Sequence, residues 1–160
     1  MPATFLPIIG SSGTDWISLE LNLFAMLMKK PEQQREKPVW DPELRAAAEE
    51  RCRILLAENT CSHVNKEGIG PNEFLRRRGL RLPDYYGTGL TDNFVESLMC
   101  CECVQDNLED TYNNWWNSSP HRTHVWGEDE FFRKQEYIGI GYGQESERSV
   151  WTFLSLERSV

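Results

Sequence analysis

The stretches YIGIGYG at residues 137–143 and VWTFL at residues 150–154 decide the fold class of this chain. In the first stretch large apolar side chains alternate with glycines, and the second is rich in β-branched and aromatic residues, as is typical of strands. The polar residues 144–149 between them predict a turn, so the two stretches form an antiparallel hairpin. Glycines within a strand let another backbone or an aromatic ring lie close to it.

Helical periodicity comes before the hairpin. Apolar residues recur at spacings of three and four over residues 17–28, which predicts a first helix. Asp41 followed by proline is a typical helix start, and the apolar stripe behind it predicts a second helix over residues 42–58. A short helix is expected near residues 72–78, inside a loop-rich middle segment. The same periodicity over residues 98–115 predicts a third helix.

The order of these elements indicates an α+β fold. Helices come first and the strand pair comes last. Strands and helices do not alternate along the chain, so a parallel sheet is not expected. The length of 160 residues is sufficient for one domain, and 39% hydrophobic with 11% aromatic residues is typical of a globular chain. We expect a single domain over residues 16–160, preceded by an irregular lead-in over residues 1–15 that contains prolines and glycines.

Charge and hydropathy exclude several functional classes. The net charge of −8 and the sequence pI near 4.9 disfavour binding to nucleic acid or to anionic membrane surfaces. The longest apolar stretch, residues 17–28, is too short and too polar for a transmembrane helix, so we do not expect an integral membrane protein. The first ten residues lack a basic segment and contain two prolines, so they do not resemble a signal peptide.

Five cysteines leave the redox compartment open. Cys100, Cys101 and Cys103 fall in the predicted third helix, where Cys100 and Cys103 share a face. A structural zinc site needs a second pair of ligands at a regular spacing, which Cys52 and Cys61 do not provide. Reduced, buried cysteines are therefore the favoured interpretation, because free cysteine packs as a small apolar residue. A disulfide between Cys52 and Cys61 is an alternative.

Two histidines occupy corresponding places, each just after a predicted helix. His63 follows the second helix and His121 follows the third, and neutral imidazole is a common metal ligand. The pair could form one site, or each could be an ordinary hydrogen-bonded histidine. His124 forms an i, i+3 pair with His121 and is a second candidate arrangement. No nucleophile elbow, phosphate-binding loop or zinc-protease helix motif occurs in the sequence.

Seven segments in order resemble the CAP superfamily of cysteine-rich secretory, antigen 5 and pathogenesis-related proteins, in the compact SCP-like form found in bacteria. The resemblance covers about residues 16–155. The matching segments are LNLF at 21–24, PVWDPEL at 38–44, CSH at 61–63, TDNF at 91–94, WNSSPHR at 116–122, IGIG at 138–141 and VWTF at 150–153.

The resemblance implies a three-layer α-β-α sandwich with a central antiparallel sheet. It also implies a cavity that holds two histidines and two acidic residues, and in several relatives the histidines bind a divalent metal such as zinc. By position these histidines are His63 and His121, and the first acid is Asp92. The second acidic position falls on Ser118 or Ser119, so this chain lacks it. Relatives are mostly exported, which implies an extracellular or exported protein.

Three functions follow from this resemblance. The first is a secreted, non-enzymatic domain that binds a divalent metal through His63 and His121, and also a small apolar ligand or a partner protein. The second is a metal-dependent hydrolase or peptidase that uses His63, His121 and Asp92 around an activated water. The third is a structural interaction domain without metal. Absence of the second acid removes the obvious general base and disfavours the hydrolase.

Overall fold

The computed structural model describes residues 15–29 and 31–158 of the chain. Residues 1–14 of the expected lead-in lie outside the described residues, so the division into lead-in and domain stays a prediction. Within the described ranges, no helix has both the length and the apolar character required to cross a membrane.

A four-stranded mixed sheet forms the centre of the fold. Its strands are β1 (Val39–Trp40), β2 (Glu96–Cys101), β3 (Tyr137–Glu145) and β4 (Arg148–Leu156), in the spatial order β1-β3-β4-β2. The predicted hairpin of β3 and β4 is confirmed, with Ile140 opposite Phe153 in an antiparallel register. Strand β2 pairs antiparallel with β4, whereas the short β1 lies parallel to β3. The parallel edge strand is an addition to the antiparallel sheet expected from the sequence.

Helices cover both faces of this sheet. They are α1 (Ile17–Leu27), α2 (Pro42–Glu58), α3 (Pro71–Arg77), α4 (Leu108–Trp116), α5 (Ser119–Val125) and α6 (Glu130–Arg133), with a short 3-10 helix at Asp84–Tyr86. Asp41 caps α2 as expected, because its side chain accepts hydrogen bonds from the backbone N–H groups of Glu43 and Leu44.

The alternation of side chains along the hairpin builds two cores. Large residues of β3 and β4, such as Ile140 and Trp151, face the side covered by α1, α4 and α5, where Leu23, Trp115 and Trp126 are fully buried. On the opposite face, β4 and β2 pack against α2 and α3. The expected α+β sandwich of three layers is confirmed. The buried face of α1 differs in detail from the predicted one, because Leu21, expected inside, is 39% exposed.

The glycines of β3 let helix α2 approach the sheet directly. A Cβ atom on Gly139 would lie 2.2 Å from the carbonyl carbon of Leu44, and one on Gly141 would lie 2.5 Å from that of Ala48. Real Cβ atoms do not approach other atoms so closely. The backbone of α2 therefore packs against the backbone of β3, which confirms the close approach expected from the alternating glycines.

The predicted third helix over residues 98–115 is wrong in its first half. Residues 96–101 form strand β2, and helix α4 begins only at Leu108, where Asn107 accepts hydrogen bonds from two backbone N–H groups of the first turn. In β2, Leu98 faces α2 while Met99 faces the opposite core. A strand buried on both faces lacks the alternation of apolar and polar residues, and the spacing of Leu98 and Cys101 also satisfies a helical period.

The interpretation of four cysteines as reduced is also wrong. Disulfides join Cys61 to Cys100 and Cys101 to Cys103, while Cys52 is free and buried, so the alternative Cys52–Cys61 pairing does not form. In the strand, Cys100 lies 6.1 Å from Cys61 between Cα atoms, a normal distance for a disulfide. The error follows from the helix assignment, which placed Cys100 and Cys103 on one helical face.

Candidate functional site

A cavity of about 330 Å³ opens where the start of β2 meets helix α5. It is lined by His63, Asn93, Phe94, Val95, Glu96, Ser97, Pro120, His121, Thr123, His124 and Phe132. Both histidines identified from the sequence, His63 and His121, line this one cavity, although 58 positions separate them in the chain.

Glu96, the first residue of β2, holds His63 at the cavity. The carboxylate of Glu96 is fully buried and its Oε1 lies 2.9 Å from Nδ1 of His63. Arg51 of α2, itself 1% exposed, donates to both carboxylate oxygens over 2.6 and 3.0 Å. Burial alone would raise the pKa of Glu96, but the hydrogen bonds from His63 and Arg51 outweigh it and lower the pKa.

The ionised Glu96 determines the tautomer of His63. A carboxylate only accepts hydrogen bonds, so Nδ1 of His63 must carry the proton that it donates. In the neutral imidazole the lone pair is then on Nε2. The side chain of His63 is 40% exposed, so this nitrogen belongs to a group that solvent and ligands can reach.

His121 is in the first turn of α5 and is half-buried. Its Nδ1 is buried, with no hydrogen-bond partner among the described residues. Burial lowers the pKa of His121, and the neighbouring His63 lowers it further, so the imidazole is neutral at neutral pH. A histidine that lines the cavity thus has a buried ring nitrogen without a hydrogen-bond partner in the described part of the chain, which is rare in folded proteins.

His124 is part of a buried hydrogen-bonded chain behind the cavity. Its Nδ1 lies 2.7 Å from the hydroxyl of Ser97, and its Nε2 lies 2.7 Å from the hydroxyl of Ser155. Ser155 donates onward to Gln135. Both ring nitrogens are thus used within the protein, and burial lowers the pKa of His124 well below its ordinary value. In the alternative metal pair of His121 and His124, both ring nitrogens of His124 are already hydrogen-bonded, so His124 has no ring nitrogen available to bind a metal.

Known proteins share this architecture at low sequence identity. No family model matches the sequence, and no curated protein matches it. Among solved structures, an outer surface protein from Borrelia burgdorferi superposes with a TM-score of 0.68 at 16% identity, covering 91% of this chain and 97% of that protein. An extracellular protein containing a SCP domain from Bacillus anthracis superposes with a TM-score of 0.58 at 14% identity. The chain has the SCP-like fold. The second match covers 86% of this chain and 40% of the Bacillus protein.

The fold does not bring Asp92 into the cavity. The carboxylate of Asp92 accepts a hydrogen bond of 2.8 Å from the backbone N–H of Gly89, in the turn before β2. Asp92 is absent from the residues that line the cavity, and the acid beside His63 is Glu96, four positions further along. Ser118 and Ser119, the positions that correspond to the second acid of the relatives, are also outside the lining.

Sequence reasoning missed Glu96 and its partner Arg51, although one signal pointed to them. Arg51 is seven residues after Leu44, so it falls on the apolar face of α2 rather than on the polar face. A charged residue on a buried helical face requires a buried partner of opposite charge. Glu96, inside the apolar run at residues 94–101, is the matching acid.

The fit of a metal to this cavity is partial. In the described ranges no group of three or more His, Cys, Asp and Glu residues is placed to hold a metal ion. His63 and His121 supply two imidazoles, and the carboxylate of Glu96 is used by Arg51 and His63. Glu96 instead acts on His63 as carboxylates commonly act on metal-ligating histidines, by fixing the orientation of the ring. A metal ion would take its other ligands from water or from a bound molecule.

Proposed function

We propose that this SCP-like domain is a non-enzymatic binding module of an exported protein, and that its cavity binds a divalent metal ion through His63 and His121. The observation that carries the proposal is the state of the two imidazoles in one cavity. His63 is oriented by Glu96 with a lone pair on Nε2, and the buried Nδ1 of His121 has no hydrogen-bond partner within residues 15–29 and 31–158. Both are suited to a metal that prefers nitrogen ligands, such as zinc.

The disulfides support export. Disulfides persist in oxidising compartments and are rare where thiols are kept reduced. Four of the five cysteines are paired, by Cys61–Cys100 and Cys101–Cys103. The two structural neighbours are described as an outer surface protein and an extracellular protein, which agrees with the same compartment.

The charges around the cavity favour binding over hydrolysis. A hydrolase that activates water needs a general base whose pKa is near the working pH. Glu96 has a lowered pKa and both of its oxygens accept hydrogen bonds, so it is a weak base. Asp92 is outside the lining, and His124 is used on both ring nitrogens.

The walls of the cavity favour a ligand with an apolar part beside the metal. Phe94 is 42% exposed, and Phe132 and Pro120 lie across the same opening. The volume of about 330 Å³ is near the lower end of small-molecule sites. A small apolar or aromatic compound that binds here will raise the melting temperature by mass action. The same rise is expected in His63→Ala, because this substitution leaves the apolar contacts of the compound in place.

Calorimetric titration of zinc into metal-stripped protein at about pH 7.5, where ordinary imidazoles are neutral, tests the metal site. We expect one site in the wild type, and its loss in His63→Ala and in His121→Ala. Glu96→Gln is expected to weaken binding by about 10- to 100-fold, because the carboxylate charge beside His63 is lost and the amide must turn an NH2 donor toward either His63 or Arg51, which both donate.

Asp92→Asn is the matched control. Its amide oxygen can still accept the hydrogen bond from Gly89, and the residue is outside the cavity, so zinc affinity should equal that of the wild type. Absence of binding in the wild type, or binding that survives both histidine substitutions, would overturn the proposed metal site. A loss in Asp92→Asn would contradict the placement of the acid at Glu96.

A further inference from the structure

The end of strand β2 carries a second cluster of reactive groups, separate from the histidine cavity. Cys100 and Cys101 are the last two residues of the strand and belong to different disulfides. A cleft of about 310 Å³ at this end is lined by Cys61, Cys100, Cys101, Glu102 and Arg148, among others. Its volume is sufficient for a small molecule.

We propose that the Cys101–Cys103 disulfide is a thiol–disulfide exchange site for low-molecular-weight thiols, while Cys61–Cys100 is a structural disulfide. This inference is independent of the metal proposal, since it uses other residues at the other end of β2. It adds a reaction to a domain that is otherwise proposed only to bind.

The first argument is the length of chain that each disulfide encloses. By thermodynamic reciprocity, the fold stabilises a disulfide as much as that disulfide stabilises the fold. Cys61 and Cys100 are 39 positions apart, so their bridge removes much freedom from the unfolded chain. Cys101 and Cys103 are 2 positions apart, so by the same relation their bridge removes less than half as much freedom. The fold therefore protects the first disulfide from reduction more strongly than the second.

The second argument is access and charge. Cys101 and Cys103 are each half-buried, and the side chain of Glu102 between them is 80% exposed, so the bridge lies next to solvent. Arg148 lines the same cleft as Cys101 and forms an ion pair with Glu102 over 2.8 Å. The positive charge of Arg148 in this cleft favours the thiolate that leaves during exchange, and a better leaving thiolate makes exchange faster.

The reaction balances with the thiol as the co-reactant. An external thiolate attacks one sulfur of Cys101–Cys103, the S–S bond breaks, and a mixed disulfide forms while the other cysteine leaves as a thiolate. A second external thiolate attacks the mixed disulfide at the external sulfur and releases the oxidised thiol as its disulfide. Both cysteines are then thiolates or, after taking protons from water, thiols. The external thiol is oxidised and the protein is reduced by two electrons.

Equilibration of the full chain with glutathione buffers of graded ratio tests the thermodynamic part. After acid quenching and alkylation, mass spectrometry reports the reduced fraction of each disulfide. We expect Cys101 and Cys103 to be reduced and alkylated together before Cys61 and Cys100. The ratio of reduced glutathione squared to oxidised glutathione that reduces half of Cys101–Cys103 should be at least tenfold lower than the ratio for Cys61–Cys100. This corresponds to a difference in reduction potential of about 30 mV. Reduction of both disulfides together, or of Cys61–Cys100 first, would overturn the proposal.

Variants of the neighbouring arginine test the kinetic part. Arg148→Gln should slow formation of the mixed disulfide with glutathione at least threefold, and Arg148→Lys should restore most of the rate. Arg53→Gln, at an exposed position on helix α2 outside the cleft, is the matched control and should react as the wild type does. A double variant with Cys101→Ser and Cys103→Ser should keep Cys61–Cys100 and form no mixed disulfide under the same conditions. Equal rates in all arginine variants would contradict the role of Arg148 in exchange.

Discussion

Removal of Arg51 is the sharpest test of the buried network that positions the cavity. In Arg51→Ala the carboxylate of Glu96, which is fully buried, keeps His63 as its one side-chain partner among the described residues. Loss of one partner from a buried ion pair costs about 3–5 kcal/mol, because an uncompensated charge is left in the interior. With an m-value of about 2 kcal/mol/M, the midpoint of urea unfolding should fall by about 2 M.

The cost should depend on pH with a definite sign. In the wild type the pKa of Glu96 is lowered, so its contribution to stability is present above the pKa of the unfolded chain and is lost as the pH falls through the lower folded value. In Arg51→Ala, burial dominates and raises the pKa of Glu96, so the folded variant accepts a proton more readily. The difference in unfolding free energy between wild type and variant should therefore be largest near pH 7 and smaller near pH 4.

Arg77→Ala provides the control for this measurement. Arg77 pairs with Glu73 one helical turn away, and its side chain is 57% exposed. An exposed pair of this kind contributes about 0–1 kcal/mol. A cost below about 1 kcal/mol for Arg51→Ala, or a cost that is the same at pH 4 and pH 7, would refute the reasoning about Glu96.

Three further outcomes are expected. Gly141→Ala should destabilise the protein by about 1–3 kcal/mol or more in chemical unfolding, because its Cβ would lie 2.5 Å from the backbone of α2, and a wild-type midpoint would contradict the close packing. Stability should fall as the pH decreases below about 6.5, since His121 and His124 have lowered pKa values in the fold and take up protons more readily when unfolded; urea titrations at pH 5 and pH 7 measure this. Replacement of both Cys61 and Cys100 by serine should lower the unfolding free energy by about 4 kcal/mol from loop entropy, given their separation of 39 positions. Calorimetric melting measures this loss, and a much smaller loss would contradict the loop-entropy argument.

Much of the fold was predictable because its signals are local. Helix α2 has a capping aspartate, a proline at its first turn and a regular apolar stripe, and its predicted bounds match residues 42–58. The hairpin has alternating glycines and a polar turn in one continuous segment. In contrast, strand β2 is defined by its pairing with β4, about fifty positions further along, and its apolar run satisfies two periodicities.

The candidate site was predictable only in part for the same reason. His63 and His121 follow sequence motifs that stand out locally, and both line the cavity. Glu96 was missed because its role depends on a contact with Arg51, 45 positions away, and on the strand that was assigned to a helix. The resemblance to the CAP superfamily points to Asp92, which lies in the turn before β2, whereas the acid in contact with His63 is Glu96, four residues later. Local motifs identified the histidines, and only the tertiary pairing identified the acid that orients one of them.

The direct packing of helix α2 on strand β3 also determines where this domain can vary. At Gly139 and Gly141 the backbones meet without side chains between them, so no larger residue can be accommodated without displacing a central helix from a central strand. Compensating changes are unavailable there, because the clashing atoms belong to the main chain. In a saturation library these two positions should be nearly invariant. Tolerance to substitution should instead be concentrated in the solvent-facing residues of α2, such as Arg53, and in the loops around the cavity. Substitutions in those loops can change ligand preference while the packing of α2 on β3 stays the same.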